Sequence, residues 1–245
     1  MSKERDKAIL ELLLKQGEVS VKQLASHLFI SEPSVRRDLA RLEKQNLIKR
    51  IHGGAKIDRS ALSKNKIPFT LRELEQNSAK QIIAKKAIEL VQDNDVIFLD
   101  ASTSAFNLIQ YLSSKKNITV VTNGVKALEK LAEYDINTIS TGGNLIARCK
   151  ALVGDDAYRT IESINANIAF FSCRGLSDDG FLTDIAPAEN HVRKRMIKNS
   201  KCAYLLCTSD KFGKQYFHNL CHKDEIDGII TDLQTESEFV TKIDK

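Results

Sequence analysis

"SEPSVRRDLARLEKQNLIKRIHGGAKI", residues 31–57, holds two adjacent arginines in a helical pattern and ends on a His-Gly-Gly turn between basic segments. Ser31 stands where an N-cap belongs, and Pro33 falls in the first turn, where a missing amide hydrogen costs nothing. An advance of ~100° per residue puts Val35, Leu39 and Leu42 on one side and Arg37, Ala40 and Arg41 nearly opposite. The apolar side must pack on other helices. The opposite side is then a basic face with a small residue at its middle, as a helix entering the DNA major groove requires. Ser34 and Arg36 flank that face within reach of phosphates. "LIKRIHGGAKI" (47–57) alternates apolar and basic residues about Gly53 and Gly54, the pattern of a two-stranded hairpin.

Upstream, "RDKAILELLLKQ" (5–16) spaces Ile9, Leu12, Leu13 and Gln16 helically and stops at Gly17. "SVKQLASHL" (20–28) opens on Ser20 with Gln23 three residues later, a capping box, and is about two turns long. Helix, short helix, tight turn, helix and basic hairpin make a winged helix-turn-helix. Charge agrees with that reading. Residues 1–60 carry 13 Lys/Arg against 8 Asp/Glu, and residues 61–245 carry 24 against 24, so the formal charge of +5 belongs to the first quarter of the chain. A basic head on a neutral body suits a polyanion partner.

The stretch "VSVKQLASHLFISEPSVRRDLARLEKQNLIKRIHGGA" (19–55) resembles the N-terminal winged helix of the DeoR family of bacterial transcription regulators, chiefly in "SVRRDL" and "RIHGGA". The resemblance implies binding to operator DNA, and it carries Ser34, Arg36, Arg37, Arg41 and His52 over as DNA contacts.

The expected organisation is a winged helix-turn-helix over 1–57, a linker over 58–70 and an α/β domain over 71–245. The linker text is polar and irregular, and Pro68 disfavours helix in the residue before it. Beyond it, "VIFLD" (96–100), "ITVVTN" (118–123), "INTIS" (136–140), "ANIAFFSC" (166–173), "KCAYLLC" (201–207) and "DGIITD" (227–232) alternate with helical text, which predicts a mostly parallel sheet. Ligands bind such sheets at the carboxyl ends of the strands. There the sequence places Asp100, then Ser102, Thr103 and Ser104 at a helix start, where amides and dipole welcome an anion. Asn123 follows the second strand. Thr141, Gly142 and Gly143 follow the third, and Lys211 follows "KCAYLLC". Hydroxyls and amides for a phosphate, Asp100 and Asn123 for sugar hydroxyls, and Lys211 for charge balance describe a pocket for a phosphorylated polyol.

Resemblance to the DeoR-family C-terminal sensor domain runs through "FLDASTSAFNL", "VVTNGVKALEKL", "STGGNL", "LVGDDA", "GLSDDGFLTD", Glu189–Arg193 and "SDKFG". It implies a fold related to sugar-phosphate isomerases such as ribose-5-phosphate isomerase, and a phosphorylated sugar as effector. Many relatives carry D-x-G-T-T where this chain has Asp100-Ala101-Ser102-Thr103, which leaves the identity of the sugar open.

The expectation is a repressor of a carbohydrate-metabolism operon, working without a cofactor and as a homo-oligomer, a dimer or tetramer matched to a repeated operator. The alternative is a sugar-phosphate isomerase or deaminase with a DNA-binding extension, for which Asp178, Asp179, Asp184 and Glu189 are acid/base candidates. A dinucleotide-dependent redox sensor is disfavoured, since no G-x-G-x-x-G follows the first strand. No apolar run approaches the ~18 residues of a membrane span, and Met1–Lys7 is charged where a signal peptide would turn apolar, so a cytoplasmic location is expected. The cysteines Cys149, Cys173, Cys202, Cys207 and Cys221 form no C-x-x-C pair and read as buried reduced thiols. "HNLCH" (218–222), with Cys207 as a distant fourth ligand, fits no usual zinc spacing and reads as polar residues before a strand.

Overall fold

The computed structural model describes residues 2–57 and 67–233, and the chain divides into two compact units, residues 1–75 and 76–245. In the first unit, α1 (Ser2–Gln16), α2 (Val21–Leu28) and α3 (Glu32–Lys44) stand with strands β1 (Glu18–Ser20), β2 (Ile48–Ile51) and β3 (Gly54–Ile57). Their core is Ile9, Leu10, Leu13, Leu24, Val35, Leu39 and Leu42 with Val19, Ile48, Ala55 and Ile57. The apolar phase of α3 is as read. That of α1 centres on Leu10 rather than Leu12, which is only partly buried. Ser20 makes the capping box with Gln23. Ser31 sits at the N-cap of α3 but makes no side-chain cap bond; its hydroxyl lies 3.0 Å from that of Ser34 instead.

The expected two-stranded hairpin is three-stranded, in the order β1-β3-β2. The short "EVS" segment is too brief for a legible period. Gly54 accounts for its docking: a Cβ there would lie 2.4 Å from the Val19 carbonyl oxygen, so only glycine lets β3 approach β1. Gly53 supplies the positive φ of 75° at the turn, and its carbonyl accepts from the Val21 amide at 2.8 Å, pinning the wing to the start of α2.

A further helix, α4 (Phe69–Leu74), follows Pro68 at its N-cap. Its Leu71 is buried in the first unit's core. The expected boundary at residue 70 therefore moves: residues 67–75 belong with the first unit, because the apolar face of this short helix is buried there. Residues 58–66 of the expected linker lie outside the described residues.

The second unit is a doubly wound α/β layer. Its helices are α5 (Asn77–Ile88), α6 (Thr103–Leu112), α7 (Val125–Glu133), α8 (Asp155–Glu162) and α9 (Pro187–Lys198). The central strands are β4 (Val96–Leu99), β5 (Thr119–Thr122), β6 (Asn137–Ser140), β9 (Ala166–Phe171), β12 (Ser200–Leu206) and β14 (Gly228–Ile230). They form one sheet in the order β14-β12-β9-β4-β5-β6, parallel throughout. All six are the segments expected from the alternation of apolar runs. Apart from the edge strand β6, which is largely exposed, their interiors, such as Phe98, Val120, Phe170 and Leu205, are buried, as both faces of a helix-covered sheet must be.

Two small antiparallel additions had no such signal. β7 (Asn144–Ile146) pairs with β8 (Ala151–Val153), and β10 (Gly175–Leu176), β11 (Phe181–Asp184) and β13 (His218–His222) form a second sheet. "HNLCH" is thus itself a strand, with Leu220 and Cys221 buried. Among the described residues no group of three or more His, Cys, Asp or Glu could hold a metal ion, and no helix is long and apolar enough to cross a membrane.

Candidate functional site

Two surfaces carry the chemistry, one on each unit. On the first, Arg36 and Arg37 of α3 are exposed and Ser34 is half-buried. Arg37 donates to the Ser34 hydroxyl at 3.2 Å, and Arg36 pairs loosely with Glu32 at 3.4 Å across one exposed turn, a contact worth little in water. His52 is exposed at the wing turn, and Lys49 and Lys56 face each other across β2 and β3. Like charges directly opposite cost stability in a sheet, and a polyanion would relieve them.

Arg41 is placed differently from the reading of the sequence. Its guanidinium meets Asp6 of α1 at 2.5 Å and Asp38 at 2.7 Å, and Arg5 reaches the same buried Asp38 at 3.1 Å. Hydrogen bonds to Asp6 and then Asp38 raise its already high pKa. Its phase on α3 faces away from the core, but α1 offers a carboxylate there, so Arg41 ties α3 to α1.

On the second unit, the strand order reverses direction between β4 and β9. This is the switch point where doubly wound sheets open a crevice at their carboxyl ends. Asp100 ends β4 at 2% exposure and accepts from the Ser102 amide at 3.0 Å, the Ser172 amide at 3.3 Å and Arg193 Nε at 2.9 Å. It therefore bridges both sides of the crevice, and it is not the free acceptor for sugar hydroxyls that the sequence suggested. Arg193, from the buried face of α9, also donates to Asp184 at 2.7 Å and to the Asn190 side-chain oxygen at 3.2 Å, and it lies 3.7 Å from Glu189. Burial disfavours the guanidinium charge, but Asp184, Asp100 and Glu189 outweigh it and raise its pKa. Burial likewise opposes ionisation of Asp184, yet Arg193, the Ile185 amide and Arg174 hold its pKa below the ordinary carboxylate range. Arg148 takes the other oxygen of Glu189 at 3.5 Å. Asp184 and Glu189, two acid/base candidates of the enzyme alternative, are thus engaged as counter-ions; Asp178 and Asp179 are exposed.

Near this ion cluster, at the carboxyl ends of the strands, stand further polar groups. Ser102 caps α6 by accepting from the Ala105 amide at 3.1 Å, and Thr103 and Ser104 are buried in its first turn. Lys211 donates to the Ser172 hydroxyl at 2.8 Å, and that hydroxyl donates to the Leu206 carbonyl at 2.6 Å. Asn123 donates to the Leu152 carbonyl at 2.9 Å. Its oxygen is buried with no hydrogen-bond partner among the described residues, and so is the Asn190 side-chain nitrogen. Thr141 is buried and its hydroxyl reaches the Gly142 carbonyl at 3.2 Å. Gly143 serves the fold of the adjoining hairpin, since a Cβ there would lie 2.5 Å from the Val153 carbonyl oxygen, and Gly142 takes a positive φ of 66°.

The sequence reading assigned no role to Ser172, Asn190 or Arg193. The signal for the last was present: Glu189, Val192, Arg193 and Met196 share one helical phase and all are buried, so a charged pair lies on what should be the apolar stripe of α9.

Residues 5–61 match the DeoR-like helix-turn-helix domain, and residues 75–233 match the DeoR C terminal sensor domain. The chain is 33% identical over 229 residues to the L-fucose operon activator of Haemophilus influenzae, spanning 93% of this chain and 91% of that protein. It is 29% identical over 230 residues to the glycerol-3-phosphate regulon repressor of Escherichia coli (strain K12), spanning 94% and 90%. Among solved structures it is similar to eIF2B delta from Chaetomium thermophilum, with a TM-score of 0.50 and 16% identity over 68% of this chain and 62% of that one, a likeness of fold alone. The chain belongs to the DeoR family of helix-turn-helix transcriptional regulators, and its work is regulatory rather than enzymatic.

Proposed function

We propose that this regulator is a repressor of a carbohydrate operon whose operator affinity is set by a phosphorylated sugar or polyol bound at the β4/β9 crevice. The observation that carries the effector class is Lys211. Its ammonium is partly buried and meets a hydroxyl, with no carboxylate within ion-pair distance among the described residues, whereas Arg193 beside it is fully matched by carboxylates. A half-buried cation without a counter-ion favours an anionic ligand. The first-turn amides of α6 left over once Ser102 has capped Ala105 suit a phosphate, and the bare Asn123 oxygen and Asn190 nitrogen suit a hydroxylated chain. That a similar protein is named as the repressor of a glycerol-3-phosphate regulon agrees with this class. On the DNA side, Ser34, Arg36, Arg37 and His52 are the proposed contacts. Arg41 acts by positioning α3, and a homo-oligomer presents paired heads to a repeated operator.

A thermal-shift series with pentose, hexose and triose phosphates tests the effector reading, since a ligand at 100 times its dissociation constant stabilises by about 2.7 kcal/mol. A stabilising phosphate should also change operator affinity without being turned over. In the Thr103→Ala/Ser104→Ala double variant its affinity should fall by ~1–3 kcal/mol, the scale of hydrogen bonds to a charged group. If those hydroxyls do not contact the effector, its dissociation constant stays put in the folded double variant, which removes them from the site.

A further inference from the structure

Phe29 is not explained by the packing of the first unit. It closes α2 in the left-handed region at φ 53°, its ring is 95% exposed, and the amides of Phe29 and Ile30 both return to the Ala25 carbonyl. The backbone conformation is one that a Cβ opposes and that glycine takes freely. An aromatic ring left in water forfeits its burial as well. Folding gains nothing from phenylalanine here, and a costly residue held in an unfavourable conformation points to a function.

Its neighbours indicate which. Two residues on, the Ser31 hydroxyl joins that of Ser34, which accepts from Arg37, so the ring shares its turn with the exposed polar start of α3. Lys22, His27, Arg36 and Arg37, all exposed, lie on the same two helices. An apolar ring within a basic surface matches the mixed chemistry of duplex DNA, where charged phosphates flank sugar carbons and the thymine 5-methyl group. We propose that Phe29 is an apolar DNA contact, placed by the left-handed turn against a thymine 5-methyl group beside the segment read by α3, and that it contributes sequence discrimination. This rests on α3 being the DNA-reading helix.

The test uses the full chain and a duplex that it selects from a randomised pool, with Phe29→Gly, Phe29→Asn and Arg37→Ala as variants. Glycine relieves the backbone, so Phe29→Gly should melt about 2–4 °C higher, on the scale of ~1 kcal/mol in a chain of this size. Asparagine tolerates the turn but offers no apolar face. Both Phe29 variants should bind the selected duplex about tenfold more weakly, with an unchanged slope of log affinity against log salt, because no phosphate contact is lost. Unchanged affinity in both overturns the proposal, as does loss in the glycine variant alone, which would indicate backbone stiffness. Loss accompanied by a smaller assembly in sedimentation also overturns it, since the ring would then serve a second copy of the chain. If Arg37→Ala binds normally, the reading of α3 has failed; if Arg37→Ala weakens binding and the Phe29 variants do not, only the Phe29 contact has.

Discussion

Arg193 shows how much of the sensor unit hangs on one side chain. It is 5% exposed and faces Asp100, Asp184 and Glu189. Arg193→Met therefore leaves buried Asp100 without a counter-ion among the described residues, and leaves Asp184 only Arg174 at 3.9 Å and Glu189 only Arg148 at 3.5 Å. Breaking a buried pair from one side costs ~3–5 kcal/mol, which urea unfolding at pH 7 should register. In the parent, Asp184 has a folded pKa below its unfolded value; its contribution is present above about pH 4 and is lost as pH falls through the folded value. In the variant Asp184 loses the cation that offset its burial, its pKa rises, and stability should decrease with rising pH between the unfolded and raised values. A variant whose stability does not decrease with pH above about 4, as expected for the parent, would contradict this account. The same scale separates Arg37 from Arg41. Arg37→Ala should weaken operator binding by ~1–3 kcal/mol of base discrimination with an unchanged unfolding midpoint. Arg41→Ala should lower the midpoint, because buried Asp38 loses one of its two arginines. The sequence placed Arg41 among the DNA contacts because helical phase states which way a side chain leaves its own helix, and nothing of what a distant helix brings to meet it. Asp100 was read as a free acceptor for the same reason: Arg193 lies 93 residues away.

At the scale of elements, periodicity read well and brevity read badly. Five of the six central strands were legible because burial on both faces demands apolar runs, and β6, largely exposed at the sheet edge, from its place in the alternation with helical text; β1, β7, β8 and β10 are two or three residues long and contain no period to detect. α4 was not read from the sequence at all: Phe69–Leu74 straddles the end of the expected linker, and nothing in "FTLREL" says which core its leucines join. The wing depends on one of these invisible elements. Gly54→Ala drives a methyl to 2.4 Å from the Val19 carbonyl, and either β1 detaches or β3 shifts. A cost of ~1–3 kcal/mol, typical of overpacking, should lower the melting temperature of the first unit. Operator affinity should fall with it, because the turn carrying His52 is fixed to α2 through the Gly53 carbonyl. Full operator affinity in a folded Gly54→Ala protein would show that the wing does not touch DNA.

For the whole molecule, the formal charge of +5 resides in the first 60 residues while the remainder balances. Operator binding should therefore fall steeply with salt, at a slope near −0.9 per phosphate neutralised. The proposed sensor site would offer an anionic effector only short-range contacts such as Lys211, so effector binding should depend on salt far less. A repressor working through one two-state equilibrium also obeys reciprocity: if the effector changes operator affinity by some factor, saturating operator must change effector affinity by the same factor. For coupling of ~1–3 kcal/mol that factor is roughly 5 to 150. Calorimetric titration of the stabilising sugar phosphate, with and without saturating operator duplex at one salt concentration, gives one ratio, and DNA titration with and without effector gives the other. Equal ratios are the expected outcome. A ratio that depends on protein concentration would instead place the coupling in assembly, with the effector acting on how many copies of the basic head are held together rather than on the arrangement of heads within a fixed oligomer.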